Sequence, residues 1–207
     1  KNVPRSAIPA DIKRVCVKHK IIDNISDGNP FAVVLNYARF SPSGKAWLTL
    51  TSPNFSPHTL KALNGTVLSG KLLEVTAKDP WSGLEPRARG VKGRLEAAER
   101  GVLSGNGPGG GTSSHGRGVA ISGFPGKITA EAVQAYLGDF RLASYEGGQK
   151  EVVKLGVPQR NIAMKARLYV RLASVAEAHR LVRQFHMTFF EPKVYGTKYP
   201  LRAHVVY

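Results

Sequence analysis

One eight-residue segment, KARLYVRL at residues 165–172, alternates strictly between apolar and mainly charged side chains. Because successive side chains of a β-strand point to opposite faces of the sheet, this alternation predicts a strand with two distinct faces. The apolar face consists of Ala166, Leu168, Val170 and Leu172. The other face consists of Lys165, Arg167, Tyr169 and Arg171. We expect the apolar set to pack under helices and the second set to lie on the open side of the sheet.

A second segment, KAWLTL at residues 45–50, has the same alternation. Its apolar side chains are Ala46, Leu48 and Leu50, and the opposite face carries Lys45, Trp47 and Thr49. An exposed ring that stacks on a base contributes about 1–3 kcal/mol, and neighbouring cations attract phosphates. The two strands therefore predict a nucleic-acid-binding surface made of Lys45, Trp47, Thr49, Lys165, Arg167, Tyr169 and Arg171. The alternative is that Trp47 and Tyr169 pack under the linker or under a partner protein.

The elements around residues 165–172 have a recognisable order. Residues 119–122 predict a strand, and a helical pattern follows Thr129, with Val133, Leu137 and Phe140 on one stripe. Residues 151–155 predict the next strand, and residues 201–207 the last. Ser174 and Glu177 form a capping-box pattern before a helix whose apolar face is Ala178, Leu181, Val182 and Phe185. The order β-α-β-β-α-β predicts an α+β, ferredoxin-like sandwich over residues 118–207.

The first half, residues 1–80, repeats this order without the opening strand. Ile8, Ile12 and Val15 mark a helix, and residues 31–39 and 45–51 predict strands joined by a Ser-Pro-Ser-Gly turn. Ser56 and Pro57 open a second helix that ends at Asn64-Gly65, and residues 71–76 form the last strand. We expect the opening strand just upstream of Lys1, with its exit at residues 2–4.

Residues 81–117 separate the two halves. The stretch SGNGPGGGTSSHGRG at residues 104–118 has almost no apolar side chain, so burial cannot offset its ordering entropy. We interpret it as a flexible linker. A short helix before it is suggested by Val91, Leu95, Ala98 and Val102, although Gly93 and Gly101 weaken that prediction.

Charge indicates the class of partner. The 207 residues carry a net charge of +16, divided as +6 over residues 1–80, +3 over 81–117 and +7 over 118–207. Such an excess stores self-repulsion that a polyanion relieves, and its even spread predicts that both halves meet that polyanion. Cys16 is the only cysteine, which favours a reducing compartment and rules out an intrachain disulfide. No apolar run is long enough for a membrane span.

Nothing in the sequence points to catalysis. The six histidines show no metal-ligand spacing, and the fourteen carboxylates are too dispersed to suggest an acid–base pair. The glycine-rich residues 107–111 follow no strand and lack the lysine and hydroxyl of a phosphate-binding loop. We therefore expect no enzyme, no metal and no cofactor.

The two halves resemble RNA-recognition motifs (RRMs), whose central strand reads basic, Gly, aromatic, Gly or Ala, aromatic, aliphatic, any, aromatic. SGKAWLTL at residues 43–50 matches at Gly44, Ala46, Trp47 and Leu48, and KARLYVRL matches at Lys165, Tyr169 and Val170. The resemblance implies base stacking at Trp47 and Tyr169, with cations (Lys45, Arg167) at the other stacking position. In the first-strand hexamer VAISGF at residues 119–124, Ala120 replaces the stacking aromatic, which favours binding through the RNA backbone.

A narrower similarity is to RRM-like small-subunit proteins of fungal mitochondrial ribosomes, which share the high charge, the reduced stacking positions and the glycine-rich linker. It implies a structural component held on ribosomal RNA beside neighbouring proteins of a ribonucleoprotein, in mitochondria; the alternative is another reducing intracellular compartment. Two alternatives stay open: a protein-interaction module with the same fold, and an mRNA-binding or mRNA-processing factor.

Overall fold

The computed structural model describes residues 1–21, 31–38, 40–50, 57–77, 115–143, 151–156 and 164–207. The chain divides into two compact units, Lys1–Gly111 and Thr112–Tyr207. The short helix predicted over residues 91–102 and most of the predicted linker, up to residue 114, lie outside the described residues.

The first unit contains the two predicted helices. Helix α1, Pro9–Lys18, begins with proline in its first turn, and the backbone N–H of Ile8 donates to Asp11 Oδ2 at 2.9 Å. Its buried side chains are Ile12 and Cys16. Helix α2, Pro57–Leu63, ends just before Gly65, whose φ of +80° suits glycine at a helix C-terminus.

The turn predicted at the Ser-Pro-Ser-Gly segment is wrong, as the antiparallel pair of strands in this unit shows. Strand β1, Phe31–Ala38, pairs with β2, Ser41–Leu50, and Ala38 already lies opposite Ser41. The chain therefore reverses before the Ser-Pro-Ser-Gly tetrapeptide, which lies inside β2. The register of the pair shifts between Asn36 and Tyr37 of β1, opposite this tetrapeptide. The Asn36 side chain donates to Ser43 Oγ at 3.0 Å, and Ser43 Oγ donates to the carbonyl oxygen of Asn36 at 2.9 Å. The tetrapeptide forms a bulge instead of a turn.

The last strand predicted for this unit is also shorter than expected. Ser69 and Gly70, both with positive φ, make a tight turn between β3, Val67–Leu68, and β4, Lys71–Leu72. Beyond β4, Glu74 and Lys1 exchange backbone hydrogen bonds, and the N–H of Val3 donates to the carbonyl oxygen of Gly44 at 2.9 Å. Residues 1–3 thus connect residue 74 with β2.

The second unit has the predicted β-α-β-β-α-β order with one addition. Its elements are β5 Gly118–Pro125, α3 Ala130–Tyr136, β6 Val152–Lys154, β7 Lys165–Arg171, α4 Val175–Phe185, α5 Pro192–Tyr195 and β8 Arg202–Val206. The four strands form one antiparallel sheet in the order β6-β7-β5-β8. Among the described residues of this unit, the single-turn helix α5, between α4 and β8, is the element that the sequence pattern did not indicate.

One face of this sheet carries the hydrophobic core. Ala166, Leu168, Val170 and Leu172 pack there with Val133 of α3, with Leu137 at the C-cap of α3, and with Ala178 and Leu181 of α4. The assignment of these apolar side chains to the helix-covered face is confirmed. Burial of the two helix stripes is what holds the sandwich together, at about 25 cal/mol for each Å² of apolar surface.

Helices α3 and α4 begin at predicted caps. Thr129 Oγ1 accepts from the N–H of Ala132 at 3.2 Å, and Ser174 Oγ accepts from the N–H of Glu177 at 3.1 Å. The carboxylate of Glu177 departs from the capping box: it accepts from the backbone N–H of Arg141 at 3.2 Å and pairs with Arg180. It therefore ties α4 to the segment after α3.

Candidate nucleic-acid interface

The first predicted surface lies on β2. Lys45, Trp47 and Thr49 stand in register with residues 36, 34 and 32 of β1, whereas Phe31 shares the opposite face with Leu50. Phe31 is covered from the α1 side, since the ammonium of Lys13 lies 5.1 Å from its ring centroid. Lys45 and Thr49 are exposed and Trp47 is half-buried. The three side chains therefore share the face away from α1, as predicted.

The second predicted surface lies on β7, opposite the helix-covered core. We call this side of the four-stranded sheet the outer face. Tyr169 lies on it between Ala120 of β5 and Val153 of β6. Lys165, Arg167 and Arg171 alternate with the core residues on the same strand and share this face. The predicted orientation of all four side chains is confirmed.

The expected exposure of this surface is wrong for two of the four side chains. Tyr169 is 1% exposed and Arg171 7% exposed, whereas Arg167 is half-buried and Lys165 is exposed. Ala120 and Val206, on the same face, are also buried. Alternation in a strand fixes the face that a side chain joins, but not whether that face is covered, so the sequence could not report this burial.

The structure brings together a set of polar residues that the sequence analysis did not connect. Ser122 of β5 pairs with Arg167 of β7 on one side and with Arg202 of β8 on the other. We call Arg202, Ser122 and Arg167 the basic row. Adjacent strands lie about 4.8 Å apart, so the two arginines stand on strands roughly 10 Å from each other. Exposed Lys165 extends the same face.

The sequence analysis did not include Arg202 in the predicted surface, because the residues beside it in the sheet depend on the order of the strands. Alternation within residues 201–207 does not say which strand lies beside β8, nor which residue faces Arg202. The antiparallel pairing of β8 with β5 supplies both facts, and the Ser122 hydroxyl donates to the carbonyl oxygen of Arg202 at 3.4 Å. An arginine is suited to such a place because its planar guanidinium binds phosphate oxygens through two N–H groups.

A nearby lysine, Lys154, stabilises a loop instead. Lys154 Nζ donates to the carbonyl oxygens of Gly126 at 2.8 Å and Ile128 at 2.7 Å. It therefore holds the loop between β5 and α3. Its charge is partly used by these two carbonyl groups, so we do not include Lys154 in the candidate interface.

Other chemistries find no support in the described residues. No group of three or more His, Cys, Asp or Glu side chains is arranged to hold a metal ion in the ranges that the structure describes. Burial raises the pKa of the Cys16 thiol to about 11, so this thiol stays protonated near neutral pH and is a poor nucleophile. Within the described part of the chain, no helix is both long and apolar enough to cross a membrane.

The element order and sheet order of the second unit are those of an RNA-recognition motif, and the first unit contains the same α-β-β-α succession. The chain therefore has an α+β, tandem RRM-like architecture.

No protein-family model and no curated protein matches the chain. The solved structures to which it is similar at low identity include the following three. The RNA recognition domains 1 and 2 of Sex-lethal from Drosophila melanogaster are 14% identical, with 98% of this chain and 94% of that chain covered and a TM-score of 0.28. The three N-terminal RNA-binding domains of the yeast splicing factor Prp24 are 14% identical, with 99% of this chain and 62% of that chain covered and a TM-score of 0.29. A complex of two RRM domains is 14% identical, with 44% of this chain and 84% of that chain covered and a TM-score of 0.32.

Proposed function

We propose that this chain is a non-enzymatic RNA-binding protein that holds RNA mainly by its phosphate backbone. The observation that carries the proposal is the basic row, in which Arg167 and Arg202 flank the Ser122 hydroxyl on the outer face of the sheet. The net charge of +16 provides the long-range attraction. Guanidinium groups are common donors to phosphate oxygens.

The burial of Tyr169 supports a backbone-weighted mode. In this sheet, Ala120 stands beside a tyrosine that is almost fully buried, so the central strands offer bases little stacking surface. The exposed side chains that we have described on this face are two cations, Lys165 and Arg202, and one small aliphatic residue, Val153. Contacts of this kind position RNA without reading its sequence.

The first unit contributes the same chemistry on a smaller scale. Lys45 and Thr49 are exposed on the face away from α1, with half-buried Trp47 between them. We assign phosphate contact to Lys45 and Thr49, and an edge or partial stacking contact to Trp47. Both units then bind the same class of ligand, in keeping with the spread of charge along the chain.

The particular role that we propose is a structural component of a ribonucleoprotein, placed on ribosomal RNA of a mitochondrial small subunit and beside neighbouring proteins. Its support is the combination of charge in both halves with reduced stacking surface, which suits a fixed place on a folded RNA. Sedimentation of the tagged protein with a ribosomal subunit, in a sucrose gradient, tests this role. Sedimentation with messenger ribonucleoproteins would instead identify an mRNA-binding or mRNA-processing factor.

The general function has a simpler test. Purified full-length chain is titrated into a labelled single-stranded RNA, and fluorescence anisotropy follows binding at low ionic strength. Saturable binding is the expected result. Absence of binding, together with a protein partner that stays bound after nuclease treatment, would show that the fold serves as a protein-interaction module.

A further inference from the structure

The chain between α4 and β8 folds back on itself as a hairpin over residues 187–201. The N–H of Met187 donates to the carbonyl oxygen of Leu201 at 2.8 Å, the N–H of Leu201 to that of Thr188 at 2.7 Å, and the N–H of Phe190 to that of Tyr199 at 2.9 Å. Helix α5 closes its far end. We call this segment the α4–β8 hairpin.

An aromatic stack runs through this hairpin from the core to the surface. Phe190 is buried against Phe124, with ring centroids 5.2 Å apart. Tyr195 stacks on Phe190 at 5.8 Å with an interplanar angle of 21°, and it meets Tyr199 edge-on at 5.3 Å. Two rings therefore fix the ring of Tyr195, yet Tyr195 remains 39% exposed. A rigid exposed ring loses little conformational entropy when a ligand covers it.

Cations accompany this exposed ring. Lys193 lies on α5, two residues before Tyr195, and Lys198 follows three residues later, both exposed. The Lys198 ammonium lies 5.5 Å from the ring centroid of Tyr199. The combination of a ring with flanking cations, which the sequence predicted at Tyr169, is thus found on exposed surface in the α4–β8 hairpin.

The α4–β8 hairpin is continuous with the basic row. Its base packs on the bulge of β5, where no room is left for a Cβ between Gly123 and the backbone of Pro200. From Tyr199 to Arg202 the chain advances three residues, roughly 10 Å when extended. Tyr199 packs against the helix-covered core and Arg202 lies on the outer face, so a short RNA segment bound by the basic row reaches the rings of the hairpin by passing round the edge strand β8.

We propose that Tyr195 is a stacking platform for an unpaired base of a single-stranded RNA segment whose phosphates the basic row binds. This inference rests on the RNA-binding function proposed above. Stacking on a tyrosine ring accepts any base, because every base has a π-face, so the platform adds affinity without strong sequence preference. Lys193 and Lys198 attract the phosphates that flank the stacked base.

The hairpin also exposes aliphatic side chains, Val194 at 70% and Met187 at 64%, which could instead contact a protein. Three observations favour RNA: two neighbouring rings support Tyr195, lysines flank it, and the hairpin is joined to the basic row. Protein docking is an outcome that the experiment must separate, and Val194 provides the matched variant because it lies next to Tyr195 on the same helical turn.

The test compares full-length Tyr195→Ala, Tyr195→Phe and Val194→Ser in binding to labelled oligouridylate. We expect Tyr195→Ala to weaken binding by roughly 5- to 150-fold, the loss typical of one base–aromatic stack. Tyr195→Phe keeps the ring and Val194→Ser keeps the tyrosine, so both should bind like the unchanged protein. Ultraviolet crosslinking followed by mass spectrometry should find uridine attached within residues 193–199.

The contrary outcomes are distinct. If the unchanged protein binds and Tyr195→Ala binds equally well, the platform is refuted while the RNA-binding function stands. If Tyr195→Phe or Val194→Ser loses as much affinity as Tyr195→Ala, the ring is not the contact and the inference is refuted too. If the unchanged protein does not bind oligouridylate, the proposed function and the platform both fail.

Discussion

Gly123 and Pro200 touch backbone to backbone, so that a Cβ on Gly123 would overlap the carbonyl oxygen of Pro200. Gly123 has a φ of +115° and lies at the point where the register of β5 shifts between Ser122 and Phe124. This contact fixes the base of the α4–β8 hairpin beside the basic row. The same bulge of the central strand β5 therefore also determines where the base of the hairpin lies.

Replacing Gly123 tests this packing. We expect Gly123→Ala to lower the free energy of unfolding by more than about 2 kcal/mol, because the new Cβ meets backbone and the positive φ is strained for alanine. Gly156→Ala is the control, since Gly156 has an ordinary φ and no heavy atom within 4 Å of its Cβ position. Chemical denaturation measures both; equal stability of the two variants would contradict the close approach.

The burial of Tyr169 predicts a loss of stability when its ring is removed. Tyr169→Ala should lower the free energy of unfolding by roughly 3–5 kcal/mol, as large-to-small changes at buried aromatic positions do. The RNA affinity of the folded variant should change little, because the ring is nearly inaccessible. A variant with normal stability and strongly reduced RNA affinity would show that Tyr169 is an exposed stacking ring after all.

Glu177 predicts a pH dependence. The backbone N–H of Arg141, followed by the side chain of Arg180, holds the pKa of Glu177 below its ordinary value of 4.5. A carboxylate with a lowered pKa stabilises the folded state above the unfolded-state pKa, and this contribution disappears as the pH falls through the lowered value. The Tm difference between the unchanged protein and Glu177→Gln should therefore be largest above pH 4.5 and shrink in acid. A difference that stays constant across that range would contradict the ion-pair role.

The basic row predicts a change in salt dependence. Each phosphate contact to single-stranded RNA contributes about −0.7 to the slope of log K against log salt, so Arg167→Gln with Arg202→Gln should make the slope less steep by about 1.4. Arg183→Gln is the control, because Arg183 is an exposed cation on α4, away from the outer face. Equal slopes for the double variant and the unchanged protein would remove the basic row from the interface.

The sequence predicted most of the fold because local patterns and burial agree there. The alternation of residues 165–172 assigned each side chain to its face, and Thr129 and Ser174 marked two helix starts correctly. The Ser-Pro-Ser-Gly segment misled because the same residues suit a turn or a bulge, and the partner Asn36 decides between them. Local turn chemistry alone does not fix a hairpin register.

The site was less predictable, for two physical reasons. Exposure depends on what covers a face, so the orientation of Tyr169 was right while its accessibility was not. Neighbours across strands depend on sheet order, so Arg202 could not be joined to Arg167 from either segment alone. The Tyr195 platform depends on how a short segment without clear periodicity folds back on Phe190.

The most direct measurement is the affinity of the full-length chain for a single-stranded RNA across a range of monovalent salt concentrations. With at least Lys165, Arg167 and Arg202 on phosphates, log K should fall linearly with log salt, with a slope steeper than about −2. Homopolymers of different bases should give similar slopes. Binding that is insensitive to salt, or no binding at low salt, would contradict the proposal that this protein binds RNA mainly through the phosphate backbone of the RNA.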